Sequence, residues 1–108
     1  MEMMGNMSIY HVTMLENYRH ESLYHAHTHE WFYILEGRTV ISVDGKPRHL
    51  KPGDFFYIAP GVAHQVAAQG EKVKVLVMFS PPIDEKNPDI VSMSEVAAHS
   101  KKRLTVVS

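Results

Sequence analysis

Turn signals recur along this chain at intervals of about 8–12 residues, and that punctuation constrains the fold more than any other feature. Asp44-Gly45 is a two-residue hairpin signal. Lys51-Pro52-Gly53-Asp54 sets Pro and Gly in type II order. Ala59-Pro60-Gly61 and Gln69-Gly70-Glu71 turn the chain again. Between these signals lie short runs suited to strands: Thr39-Val40-Ile41-Ser42-Val43, Phe55-Phe56-Tyr57-Ile58 and His64-Gln65-Val66-Ala67. Val73, Val75, Val77 and Phe79 alternate with Lys72, Lys74, Leu76 and Met78, so that strand has one apolar face. Upstream, Ile9–Leu15 reads as a first strand, Ser22–His29 as a second, and Glu30–Leu35 as a third that Gly37 ends. The polar stretch Glu16–Glu21 is a loop with His20 facing solvent, and His11 and His49 read as exposed or satisfied side chains. Many short strands with turns between them argue an all-β sandwich or barrel. Phe55–Ile58 is expected to be a buried strand. Of Trp31, Phe32, Tyr33, Phe55, Phe56 and Tyr57, about half should face inward.

The 108 residues make one domain, with a barrel core over about residues 9–80 and a C-terminal extension over 81–108. In that extension Pro81-Pro82 ends the sheet region, and Asn87-Pro88-Asp89 has the form of a short helix opening. Ser92-Met93-Ser94-Glu95 is a capping box that starts a helix over about Met93–Arg103. Leu104–Val107 reads as a final strand.

Eleven Lys and Arg against twelve Asp and Glu give a net charge of -1, with no basic footprint for nucleic acid. There is no cysteine, hence no disulfide, thiolate metal site or cysteine nucleophile. No apolar run approaches the ~18 residues of a membrane span. The first residues lack the basic start and apolar stretch of a signal peptide. The expectation is a cytoplasmic protein without nucleic-acid or membrane partners. No Gly-x-Ser-x-Gly elbow or phosphate-cradling glycine loop is present, which disfavours a covalent hydrolase or a nucleotide enzyme.

The unusual component is histidine, with eight residues. Three of them alternate in Tyr24-His25-Ala26-His27-Thr28-His29, followed at once by Glu30 and then Trp31–Gly37. On an extended strand, residues two apart share a face, so His25, His27 and His29 would project together. Three imidazoles are poor core material, but neutral imidazole is the commonest metal ligand. The stretch reads as the start of a metal site to which another strand adds a ligand.

These residues resemble the cupin family. Its first motif is His-x-His, three or four residues, Glu, six residues, Gly. Glu30, six residues and Gly37 match its second half; His25 and His27 match its first half, although only two residues separate His27 from Glu30. The second motif is Gly, five residues, Pro-x-Gly, two residues, His, three residues, Asn. Gly53, Ala59-Pro60-Gly61 and His64 match it, with Ala59 and Ala68 replacing the first proline and the asparagine. The resemblance implies an all-β fold: a small double-stranded β-helix, or jelly-roll, barrel, here with a short C-terminal helix. It also implies pairing as a homodimer and a metal held by His25, His27, Glu30 and His64. His27 with His29 forms an alternative His-x-His pair, so His29 is the substitute ligand. A turn between His27 and Glu30 would bring Glu30 back inside on a new strand.

Three imidazoles and a carboxylate suit one divalent transition metal per chain: iron, manganese, nickel, copper or zinc. Open positions on such an ion take oxygen or a substrate's oxygens. The resemblance then implies a small-molecule metalloenzyme, with dioxygenation as the leading reaction and isomerisation beside it. Glu30 would bind the metal or move a proton. The alternative is a sensor barrel that binds a sugar or small acid without turnover.

Overall fold

The computed structural model describes residues 7–93. Nine strands follow in order: β1 Ser8–Met14, β2 Leu23–His25, β3 His29–Glu36, β4 Thr39–Val43, β5 Lys46–Leu50, β6 Phe55–Ile58, β7 His64–Ala68, β8 Val73–Ser80 and β9 Ile90–Ser92. They form two antiparallel sheets, one in the order β1-β8-β3-β6 and the other β5-β4-β7-β2-β9. No helix among the described residues is long and apolar enough to cross a membrane.

The alternation in β8 sets the core. Val73, Val75 and Val77 point between the sheets and are buried. Phe32 and Ile34 from β3, Ile41 from β4, Ile58 from β6 and Val66 from β7 close around them. Thr39 is buried at one end of β4, where its hydroxyl donates to the Ala67 carbonyl at 2.7 Å and so is not left unsatisfied. The Asp44-Gly45 hairpin has the form the sequence indicates. Both residues have positive φ, 52° and 76°, and Val43 pairs with Lys46 across the turn, as a twist-matched two-residue loop requires.

Three readings change. First, the histidine strand is not continuous: β2 stops at His25, a bend spans 26–28, and β3 begins at His29. Second, Pro81-Pro82 does not end the sheet region. The chain over 84–88 makes turns instead of opening a helix, then returns as β9, pairing Leu23 with Ser92 and His25 with Ile90. Third, Phe55–Ile58 is an edge strand buried on one face only: Ile58 is in the core and Phe56 packs against it. Tyr57 and Phe55 pair with Trp31 and Tyr33 on the outer face, and Phe55 keeps 59% of its surface exposed. Each sheet packs its partner with one face only, so alternate residues stand in solvent on β6 as they do at Tyr33 on the central strand β3. Past Met93, the expected C-terminal helix and the strand over Leu104–Val107 lie outside the described residues.

Gly37 has a steric reason to be glycine. Its φ is +78°, and a Cβ there would sit 2.3 Å from the Lys72 carbonyl oxygen. The close approach of the β3 end to the start of β8 therefore needs a bare backbone. Gly37→Ala should destabilise the fold by more than about 1 kcal/mol, because the left-handed strain and the backbone clash add. Chemical denaturation would measure this; an unchanged midpoint would refute it.

Candidate metal centre

The bend at 26–28 builds the site. The Asp89 carboxylate, just before β9, accepts from the His25 ring Nδ1–H at 3.0 Å, the His27 backbone N–H at 2.7 Å and the Thr28 hydroxyl at 2.9 Å. The Asp89 carbonyl also accepts from the Ala26 N–H at 2.9 Å. Four donors within four consecutive residues thus converge on one aspartate. The fold brings Asp89 across from the far end of the chain.

The second motif is hooked to the same place. The Gly61 N–H donates to the His25 carbonyl at 2.7 Å, and Gly61 has φ of +81°. The turn of Ala59-Pro60-Gly61 is thereby docked on β2, and β7 starts three residues later with His64. The His64 ring is buried, and its Nδ1–H donates to the Val62 carbonyl at 3.0 Å.

Both rings therefore spend their Nδ1 proton on an oxygen, which in the neutral form leaves Nε2 with its lone pair. Each Nε2 faces Glu30 on β3: Glu30 Oε1 lies 3.3 Å from His25 Nε2 and 3.2 Å from His64 Nε2. Glu30 is buried, and Oε1 accepts no aligned hydrogen bond. Burial works to raise the Glu30 pKa, but His25 and His64, when they carry an Nε2 proton, outweigh it by hydrogen bonding and charge and hold the carboxyl below its ordinary 4.5. Burial likewise works to lower the His25 pKa, yet Glu30 and Asp89 together raise it above 6.5. At Asp89 the cost of burial is outweighed by its bonds to His27, His25 and Thr28, and its pKa falls to about 2.

A cavity of about 440 Å³ opens over these groups. That volume suits a small molecule. Leu23, Phe79, Ile83 and Ile90 give it apolar walls, and Tyr10 reaches across the rim to Glu85, donating its hydroxyl to Oε2 at 3.1 Å. A smaller cavity of about 170 Å³ continues from Glu30 toward Val66, Val75 and Val77.

Of the residues expected in the site, the fold brings together His25, Glu30 and His64. His27 and His29 lie apart from them. His27 is exposed on the bend, where its backbone and not its ring is engaged. His29 stands on the outer face, stacked with Trp31 and Tyr57 at ring-centroid distances of 6.1 and 5.8 Å. Two residues that sequence reasoning left out belong here. Asp89 carries no local signal, being 64 residues from His25. His20, read as solvent-facing, is half-buried and lines the cavity; its ring meets the His64 ring edge-on at 6.0 Å. Burial above all lowers its pKa below 6.5; the Glu21 carbonyl, which accepts from Nδ1–H at 2.7 Å, works the other way. Among the described residues no set of three or more His, Asp or Glu side chains forms a ready-made metal cage. What they form is two imidazole nitrogens directed at one carboxylate oxygen.

The cupin domain family matches residues 10–79, and the chain belongs to that family. An uncharacterised protein of Methanocaldococcus jannaschii is 32% identical over 74 residues, covering 66% of this chain and 59% of that protein. The quercetin 2,3-dioxygenase of Bacillus subtilis is 31% identical over 62 residues, covering 57% of this chain but only 18% of the enzyme. The structure of KdgF from Halomonas sp. superposes with a TM-score of 0.72 at 22% identity, covering 77% of this chain and 76% of that one. The chain spans between half and three fifths of the first curated relatives it matches. The likeness to KdgF establishes the fold, a cupin barrel of two antiparallel sheets.

Asp89→Asn should lower stability by about 1–3 kcal/mol, since one amide oxygen replaces two acceptor oxygens facing three donors. The pH dependence carries a signature. Asp89 has a depressed folded pKa, so its contribution is complete above its ordinary value of 3.8 and lost as pH falls toward about 2. Acid denaturation of the variant should be flatter than wild type across that window; parallel curves would count against the clamp.

Proposed function

We propose that the chain is a metal-binding cupin that acts on a small molecule in the barrel mouth, with His25, Glu30 and His64 as the core of the ligand set. One observation carries this reading: the lone pairs of two anchored imidazoles and an unsatisfied buried carboxylate oxygen meet at 3.2–3.3 Å. Donors about 2.1 Å from a common ion and about 100° apart would stand at that separation. The carbonyl and carboxylate that hold each Nδ1–H are the outer-shell oxygens a ligating histidine uses to fix its ring. Imidazole and carboxylate suit first-row ions without choosing among iron, manganese, nickel, copper and zinc.

Dioxygenation of a small enolic or phenolic substrate is the reaction class we favour, supported by the similarity to the Bacillus dioxygenase over part of its length. When bound, the ion supplies open positions for oxygen and for the substrate's oxygens. The chain's own residues supply the rest. Leu23, Phe79 and Ile90 offer an apolar wall for an aromatic or aliphatic body and limit water. Tyr10 and Tyr18 offer hydroxyls for polar substituents. Glu30, held ionised at neutral pH, is better suited to binding a cation than to shuttling a proton.

One observation favours a second reading, a barrel that binds a sugar or small acid without turnover. A proton on His25 Nε2, favoured by the flanking Glu30 and Asp89, would satisfy Glu30 Oε1 with no ion. Metal titration separates the two. Protein stripped of metal and titrated with Fe2+, Mn2+ and Zn2+ should take up about one ion per chain. His64→Ala should weaken binding by at least about 100-fold while the circular dichroism spectrum is kept. Affinity should climb with pH through the raised His25 pKa, because proton and ion compete for one lone pair. No uptake of any of the three ions would overturn the metal reading in favour of the second.

A further inference from the structure

We infer that His20 supplies a third imidazole to this site, in place of the ligand that position 23 does not provide. The inference rests on the metal-binding reading above and adds a residue from outside either motif. The first motif allows three or four residues between its second histidine and its glutamate. Two residues separate His27 from Glu30, but four separate His25 from Glu30. His25 thus occupies the second-histidine place, and the first-histidine place falls on Leu23.

The structure agrees with that shift. Leu23 and His25 lie two apart on β2 and share a face. Leu23 is the register partner of His64 on β7, and all three line the cavity. Position 23 is therefore where a ligand would stand beside His64, and leucine has no lone pair to give.

His20 reaches the same corner from three residues upstream. Its backbone N–H donates to the Val66 carbonyl at 3.2 Å, and Arg19 bridges to Ala67, so the segment runs along β7 just beyond His64. Its ring meets the His64 ring at an interplanar angle of 85°. It lines both cavities together with Glu30. Its Nδ1–H is spent on the Glu21 carbonyl, so Nε2 carries the lone pair. His20, His25 and His64 thus share one arrangement: Nδ1 is anchored on an oxygen, which leaves Nε2 as the ring nitrogen that can bind an ion. The rings of His27 and His29 have neither that anchoring at the site nor access to it.

The test uses Co2+ as the probe ion on the metal-stripped full chain. Ring N–H protons of ligating histidines give paramagnetically shifted, exchangeable proton resonances. Three are expected in wild type and two in His20→Gln, with Co2+ affinity lowered at least about tenfold. His27→Ala and His29→Ala should leave both readouts unchanged. In His20→Ala combined with Leu23→His, an imidazole returned at position 23 should restore the third resonance. Only two shifted resonances in wild type would overturn the inference, whatever the variants do. So would a folded His20→Gln with an unaltered count and affinity. Failure of the underlying reading looks different: wild type itself would then bind no Co2+ and give no shifted resonance.

Discussion

The site depends on the hold that Asp89 has on the bend at 26–28. His25 and Glu30 are five residues apart, an odd spacing that would put them on opposite faces of one straight strand. They face the same cavity only because the chain breaks between them. Asp89 stabilises that break by accepting from His25, His27 and Thr28, and β9 fixes Asp89 by pairing Ile90 with His25. The C-terminal return is therefore part of the site's frame, and the same residues wall its cavity.

Charge and tautomer follow from that frame. Asp89 stays ionised far into acid and so fixes the Nδ1 proton of His25, just as the Val62 carbonyl fixes that of His64. Once both protons point outward, Glu30 faces two lone pairs in a buried setting, an arrangement that favours something positive between them. A proton on His25 and a divalent ion are the two candidates. The raised His25 pKa and the metal reading are thus expressions of one electrostatic demand.

Much of the fold was legible because its determinants are local. The Asp44-Gly45 hairpin and the Val73, Val75, Val77 alternation lie within a few residues and need no distant partner. His64 was legible for the same reason, since Pro60-Gly61 sets it up from three residues away. His27 was misplaced by the assumption behind the alternation rule, namely that the strand continues. What breaks it is a carboxylate 62 residues away, which no local pattern announces. His20 was hidden by its polar neighbours: Glu16–Glu21 has loop composition, yet the segment is drawn in by backbone bonds to β7 that composition does not encode. Phe55 and Tyr57 stand in solvent because they take the outer positions of the strand alternation, as Tyr33 does on β3; the aromatic run alone does not say which half faces in.

The motif glycines show why spacing and chemistry travel together here. Gly37 offers nothing to a ligand, yet it lets the β3 end approach Lys72 and so fixes where β3 sits against β8. Glu30 rides on that same strand, in register with Phe79 on β8 and Ile58 on β6. Gly61 docks its turn on the His25 carbonyl and fixes where β7 begins. Each glycine sets a strand's position, and each strand carries one donor. The six residues between Glu30 and Gly37, and the two between Gly61 and His64, are lengths of chain that deliver an oxygen and a nitrogen to within 3.2 Å of each other. The interval between His27 and Glu30 is under no such control, because the bend and not a glycine sets it. That is the point at which the pairing of histidines departs from the expected pattern.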